Sequence, residues 1–370
     1  MRNIMIIVAG QPLLPIAVPN QPVAYPPDPQ SLMEQRMKPR TMLIASAVAV
    51  TMLAAGCSSG GSGGGSGPLK LEKTNIVVNA FPAIDSAGLY IAKDKGLFAA
   101  EGLNVTIVPV NPNAAPPTTQ VLINGQVSGK WDITAGDYVT YIQNQLGAGV
   151  TKQDLRIVAE SSFLQPNVLT VMVKGDSPIS QVSQLKGKNV SVNGRNDIGT
   201  LLIDSLLVSH GLTPQQIHYT TVPFPGVATA LTTKGSNLTA AFAPEPFVSF
   251  GEAAAGLQEL ADLDQGSTQD FPIQGFAVTA QWAQKYPNTL KAFTTALAQG
   301  QQIADTDRTA VEAAIEKYLR IDAQSAAFIS LPAFPLTVDA VRLQRVVSTM
   351  TRFNLLPKDN HFKITSMITG

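Results

Sequence analysis

A chain of 370 residues with 45% hydrophobic and only 14% charged residues is long enough to bury the cores of two domain-sized lobes. Arg2, Arg36, Lys38 and Arg40 stand against Asp28 and Glu34 before residue 57, so the remainder carries a net charge of −2. That balance excludes the basic field that binding to nucleic acid requires. Cys57 is the only cysteine, so no internal disulfide can form and stability must come from packing.

The chain opens with a Pro-rich stretch, Pro12 to Pro29, that can build no packed core, and residues 1–36 are expected to be a non-native or disordered extension. Met37 or Met33 would make a natural start. Lys38 and Arg40 then precede the apolar run Met42 to Met52, which is shorter than the about 20 residues needed to span a bilayer but suits a cleaved signal. Leu53-Ala54-Ala55-Gly56-Cys57 closes it, so residues 37–56 are expected to be a lipoprotein signal peptide and Cys57 the acylated first residue of the mature chain. Residues 57–73 follow as a Gly/Ser-rich tether with a reach of roughly 20 Å.

The body shows one order of elements twice. Strands are expected at Asn75–Val78, Leu103–Val110 and Trp131–Thr134, alternating with helices at Ala87–Phe98 and Thr118–Val127. The second pass places strands at Asn189–Val192, Ile217–Val222 and Leu238–Ala243, with helices at Gly199–Ser209 and Gly226–Thr233. Such alternation implies right-handed crossovers and mainly parallel sheets flanked by helices, an α/β architecture. Val168–Val173 reads as a strand crossing from the first lobe to the second, and Gly275–Thr279 as its return, together a hinge. The first lobe then comprises residues 74–168 and 275–370, the second 169–274. Helices are expected at Pro287–Gln299, Ala310–Leu319, Ala323–Ile329 and Val338–Thr351, the last with Val338, Val341, Leu343, Val346 and Met350 on one packed face.

Ligands of parallel sheets bind beyond the carboxyl ends of the strands. The loop before the first helix offers Asp85 and Ser86, either as helix caps or as ligand contacts. Asp137 and Tyr138, an acid and an aromatic at the exit of the third strand, can orient and stack on a small solute. In the second lobe Asn196, Gly199 and Thr200 lie on the loop Asn193–Thr200, whose spacing is not that of a phosphate loop and whose Arg195 can also simply face solvent. Glu245, between Pro244 and Pro246, can accept from an amine or pair with an arginine across the cleft. Asn167 is a further polar candidate or a turn residue after Pro166. Three acids against the single Arg195 suit a zwitterion or an amine-bearing ring better than a bare anion.

For an enzyme the material is thin. His210, His218 and His361 are scattered, and no HExxH or CxxC motif occurs. No cofactor or metal site is expected.

Ser86-Ala87-Gly88-Leu89-Tyr90-Ile91-Ala92-Lys93-Asp94-Lys95-Gly96-Leu97-Phe98, then Glu101-Gly102-Leu103-Asn104-Val105, resembles the opening of the periplasmic solute-binding proteins of ABC importers for nitrate, sulfonates, taurine and thiamine-pyrimidine precursors. Leu122-Ile123-Asn124-Gly125, Leu185-Lys186-Gly187-Lys188-Asn189-Val190, Pro244-Glu245-Pro246 and Leu331-Pro332-Ala333-Phe334 follow in the shared order. The resemblance covers roughly Thr74 to Leu356. It implies a two-lobed type II binding-protein fold and a monomer outside the membrane that hands a small solute to ABC permease subunits, without chemistry on the solute. An exported sensory or adhesive lipoprotein would share these signals. A related thiamine-pyrimidine synthase carries a cysteine-rich motif that is missing here.

Overall fold

A computed structural model describes residues 70–110 and 119–369. Cys57, the signal segment and residues 58–69 of the tether lie outside the described residues, whereas residues 70–73, expected to belong to the tether, are bonded to the first lobe, Glu72 accepting from Thr289 N at 2.9 Å and Lys73 N donating to Thr289 Oγ1 at 3.0 Å. Ten strands form two five-stranded sheets. The first contains β1 (Asn75–Ala80), β2 (Asn104–Pro109), β3 (Ile133–Asp137), β4 (Leu155–Phe163) and β10 (Pro272–Thr279), ordered β2-β1-β3-β10-β4. The second contains β5 (Leu169–Lys174), β6 (Asn189–Val192), β7 (His218–Thr221), β8 (Leu238–Pro244) and β9 (Leu257–Asp262), ordered β7-β6-β8-β5-β9.

The two orders are the same pattern. In each sheet three parallel strands, β2-β1-β3 or β7-β6-β8, are followed by one strand running against them, β10 or β5, and an edge strand, β4 or β9, antiparallel to that one. The doubled βαβ pass of the sequence is therefore present, and the sheets are mixed. Residues between the elements of each pass form α1 (Ala87–Asp94), α2 (Leu97–Ala100), α3 (Thr119–Val127) and α4 (Tyr138–Leu146) in the first lobe. Their counterparts in the second are α5 (Ile198–Ser209), α6 (Val227–Thr232) and α7 (Phe247–Ala255). The expected single helix 87–98 is broken because Gly96 takes φ 71°, a left-handed turn that ends α1 and starts α2.

The crossings fall just outside the strands expected to make them. Val168–Val173 sits inside the second sheet as β5 and Gly275–Thr279 inside the first as β10, so residues 164–168 and 263–271 carry the chain between sheets. Backbone bonds tie the two crossings together, Leu164 N to Phe271 O at 2.8 Å and Leu263 N to Leu169 O at 3.0 Å.

The C-terminal helices all dress the first lobe: α8 (Ala280–Lys285), α9 (Pro287–Thr306), α10 (Arg308–Leu319), α11 (Ala323–Phe328) and α12 (Ala340–Arg352). Helix α9 lies so close to α1 that a Cβ at residue 300 would stand 2.2 Å from the Gly88 carbonyl oxygen. Gln301, next in sequence, is buried and donates to the carbonyls of Glu160 at 3.0 Å and Ser161 at 2.9 Å. Helix α12 buries Leu343, Val346, Val347 and Met350, an i, i+3, i+4, i+7 stripe, whereas Val341 is 79% exposed and does not join the packed face expected for it. No helix among the described residues is long and apolar enough to cross a membrane.

A candidate solute cleft between the lobes

The carboxyl ends of β1 and β3 in one lobe and of β6 and β8 in the other lead into four loops, and these carry most of the sequence candidates. After β1, Asp85 and Ser86 sit in a short turn at Ile84–Ser86, and neither side chain caps α1. Asp85 instead reaches β4: the Ser162 hydroxyl donates to its carboxylate and the Ser161 hydroxyl to its carbonyl. Burial dominates and pushes the Asp85 carboxyl above its usual range, with the Ser162 hydrogen bond pulling the other way. Ser86 is fully buried, donates to Phe81 O at 3.4 Å and accepts from Gln274 of β10 at 3.4 Å.

Asp137 is the N-cap of α4. It accepts from Thr140 N at 2.9 Å, from the Thr140 hydroxyl and from the Thr119 hydroxyl of α3 at 2.5 Å. Even so, burial raises its carboxyl above the usual range. Tyr138 goes the other way. It is fully buried, its ring lies against Gly275 where a Cβ would meet it, and its hydroxyl has no hydrogen-bond partner among the described residues. The first residue of α4 thus faces the sheet core, away from the acid beside it.

In the second lobe Asp197 caps α5. It shares a capping box with Thr200, whose amide donates to Asp197 Oδ1 at 3.3 Å while Thr200 Oγ1 accepts from Asp197 N at 3.0 Å. Gly199 is a packing glycine, since a Cβ there would stand 2.7 Å from the Phe242 ring. Asn196 is exposed with φ 58°, and its carbonyl accepts from Gln143 of α4 at 2.8 Å, a bond between lobes. Burial raises the Asp197 carboxyl to about 7, and the negative charge of Asp137 adds to the rise. Arg195 is exposed and donates to the Tyr219 carbonyl of β7.

Glu245 is buried at 4% exposure and, among the described residues, pairs with no arginine. It accepts from Ser249 N at 3.1 Å, Ser249 Oγ at 2.7 Å and, from the first lobe, Ser330 N at 3.0 Å. Burial raises its carboxyl. Asn167 stands apart: it is exposed, takes φ 66°, and its amide donates to Asp262 at 3.1 Å, the turn geometry weighed for it from sequence.

Asn196 and Glu245 therefore make bonds between the lobes, through Gln143 and Ser330, whereas Asp85, Ser86, Asp137 and Thr200 are held by partners of their own lobes and Tyr138 and Asn167 turn elsewhere. Ser161, Ser162, Gln274, Asp197 and Ser330 are partners of these residues that the sequence did not single out. The one local signal was the hydroxyl pair Ser161-Ser162 near the end of the run Leu155–Phe163. Among the described residues no group of three or more His, Cys, Asp and Glu is placed to hold a metal ion.

Two mixed sheets with one strand order, joined by paired crossings, define a periplasmic-binding-protein fold. The chain belongs to the NMT1/THI5-like family, whose model matches residues 83–307. A putative thiamine biosynthesis protein of Haemophilus influenzae is 28% identical over 153 residues, 41% of this chain and 44% of that relative, so the match spans less than half of the relative's length. The alkanesulfonate-binding protein SsuA of Xanthomonas axonopodis pv. citri, solved with MOPS bound, aligns with a TM-score of 0.63 at 18% identity over 81% of this chain and 99% of its own. The periplasmic nitrate-binding protein NrtA of Synechocystis PCC 6803 aligns with a TM-score of 0.65 at 17% identity, covering 80% of this chain and 86% of its own. At these identities the likeness to solved structures carries the fold and leaves the solute open.

Proposed function

We propose that this protein is the solute-capturing component of an ABC importer, held on the outer side of the cell membrane by lipid on Cys57, and that it takes a small organic solute bearing an amine. Sulfonates, taurine, nitrate and pyrimidine precursors are the classes in view. The observation that supports an amine is the sign of the cleft: Asp85, Asp137, Asp197 and Glu245 lie on its four loops, whereas Arg195, the arginine on those loops, is turned to a carbonyl of its own lobe. Partly desolvated carboxyls favour a cationic group and repel a bare anion. A zwitterion such as taurine or an aminopyrimidine satisfies them; nitrate does not.

A thermal-shift series on the purified body with taurine, an aminopyrimidine, an alkanesulfonate and nitrate tests this. An amine-bearing compound at about 100 times its dissociation constant should add about 2.7 kcal/mol of stability. Asp137→Ala should abolish that shift. A response to nitrate or the alkanesulfonate alone overturns the amine reading. Cys57→Ser should move the protein from the membrane to the soluble fraction, and retention on the membrane would remove the lipid anchor from the proposal.

A further inference from the structure

The loops beyond the carboxyl ends of β1 and β3 belong to the candidate cleft. The lead-ins to β1, β2, β3 and β4 meet the exit of β10 at the opposite end of the first sheet, because β10 runs against both β3 and β4. Contacts knit that end together. Asp132, before β3, accepts from Lys73 Nζ at 2.5 Å, from Val77 N of β1 at 2.9 Å and from Trp282 Nε1 of α8 at 2.8 Å. The Asp154 carbonyl, before β4, accepts from Ala280 N at 2.8 Å. The chain also enters here, with Glu72 accepting from Asn288 N at 3.2 Å and Thr289 N at 2.9 Å in the first turn of α9. A tether from Cys57, which can span at most about 45 Å to Lys70, therefore ends on this side of the lobe and not at the cleft.

This end is basic. Asp132 and Asp154 are already paired, with Lys73 and Arg156. The remaining acids, Glu72 and Glu101, are outnumbered by Lys70, Lys130, Lys152, Lys285 and Lys291, which are exposed and have no carboxylate partner among the described residues. The chain after residue 57 is net negative, so the surplus is a local field set apart from the overall charge. Two of the lysines lie over aromatic rings, Lys130 over Trp131 at 5.1 Å and Lys285 over Tyr286 at 5.2 Å, and Trp282 packs on Tyr286 with ring centroids 5.2 Å apart. Trp131 and Trp282 are the only tryptophans of the chain, and both stand here.

We propose that this end of the first lobe rests on the membrane through anionic lipid headgroups, so that the cleft faces away from the bilayer while the protein waits for solute. Each lysine brought to an anionic surface gives about a fivefold gain in partitioning. A tether ending on the same side keeps the lysines at high local concentration beside the headgroups, so a few such contacts suffice. Salt screens them over about 10 Å at 0.1 M, which keeps the contact reversible and lets the protein turn over to deliver its solute. The setting is the membrane attachment proposed above, and the test below is run without it.

The two tryptophans report on this end alone. The full chain carrying Cys57→Ser, which cannot be acylated, is mixed with vesicles bearing a nitroxide-headgroup lipid, made of phosphatidylcholine alone or with an equal part of phosphatidylglycerol. Quenching of tryptophan fluorescence should be at least fivefold greater on the anionic vesicles, and the excess should vanish in high salt. In the same background Lys130→Glu with Lys285→Glu should abolish the excess. Lys152→Glu with Lys291→Glu should cut it at least fivefold, and serves if loss of the Lys130 contact alters the indole emission. Lys186→Glu with Lys234→Glu, an equal change of charge on exposed lysines of the second lobe, should leave it unchanged. Equal quenching on the two vesicles, an excess that survives high salt, an undiminished excess in both first-lobe variants, or an equal loss in the second-lobe variant would each overturn the proposal. Because Cys57 is replaced throughout and no solute is added, failure of the lipid-anchor or amine reading leaves these outcomes untouched.

Discussion

The two lobes share a strand order but hold their charges differently. All five ion pairs found among the described residues, Lys73–Asp132, Arg156–Asp154, Arg308–Glu312, Lys317–Asp94 and Arg342–Glu160, lie in the first lobe, and none involves residues 169–262. In the second lobe the buried acids rely on neutral donors: Asp204 on the Tyr219 hydroxyl at 2.7 Å, Asp197 on the Thr200 amide, Glu245 on Ser249 and Ser330. Identical topology thus leaves the electrostatics free. The first lobe pairs five of its acids with cations and leaves Asp85 and Asp137 to neutral donors, whereas the acids described in the second lobe have neutral donors alone.

The largest effect expected from that contrast comes from Glu160, whose side chain is fully buried between Arg342 Nε at 2.9 Å, Arg342 Nη2 at 3.1 Å and the Asp339 amide at 2.6 Å. Arg342→Ala leaves that carboxylate buried without its cation, and urea unfolding should show a loss of about 3–5 kcal/mol. A loss under 1 kcal/mol would mean that the first lobe does not depend on its ion pair. Next comes Gly300→Ala, which forces α9 away from α1 and should cost about 1–3 kcal/mol in the same measurement. The contact is between helices of the first lobe, so the strain should stay there, visible as faster exchange in α1 and α9.

The second lobe should reveal itself through pH. Asp204 is raised from 3.8 to about 6 by burial, so its folded value lies above its unfolded one. The stability it contributes is fully present below about pH 4 and is lost as pH rises through about 6. Asp197 acts with the same sign, through about 7. Wild-type stability should therefore decline from pH 5 to pH 8 by an amount on the order of 1–3 kcal/mol, and Asp204→Asn should flatten part of that decline. A rise over this range would mean that burial does not hold Asp204 and Asp197 toward their protonated forms. The smallest effect belongs to Arg308→Ala, an exposed i, i+4 pair with Glu312 at 2.7 Å, which should change stability by about 0–1 kcal/mol, less still in high salt.

Legibility in the sequence followed locality. Runs such as Asn75–Val78 and Asn189–Val192 are short, β-branched and bounded, and they became β1 and β6. β4 and β9 were missed because Arg156 and Glu160 interrupt one and Gln258 and Glu259 the other; a partner on α12, far along the chain, is what makes Glu160 tolerable inside. Asp137 was legible as a polar residue at a strand exit. The inward turn of Tyr138 depends on how α4 rotates against β10, which local spacing does not encode. Asp197 lay within a loop already noticed, yet its raised carboxyl comes first from burial, which exists only once the chain has folded around it.

The position of β10 in the first sheet sets an order of assembly. Residues 169–262 supply every strand of the second sheet, so that lobe is complete as soon as they have emerged. The first sheet lacks an interior strand until residues 272–279 slide between β3 and β4, and its helical coat is finished only by α12. Half of the first lobe must wait, with its central edge unpaired, while a whole inserted lobe is made. Long-range pairing of this kind is slow to form and exposes strand edges meanwhile. The later-finished lobe is therefore the one in which a folding defect, or a helper that guards against it, would first be felt.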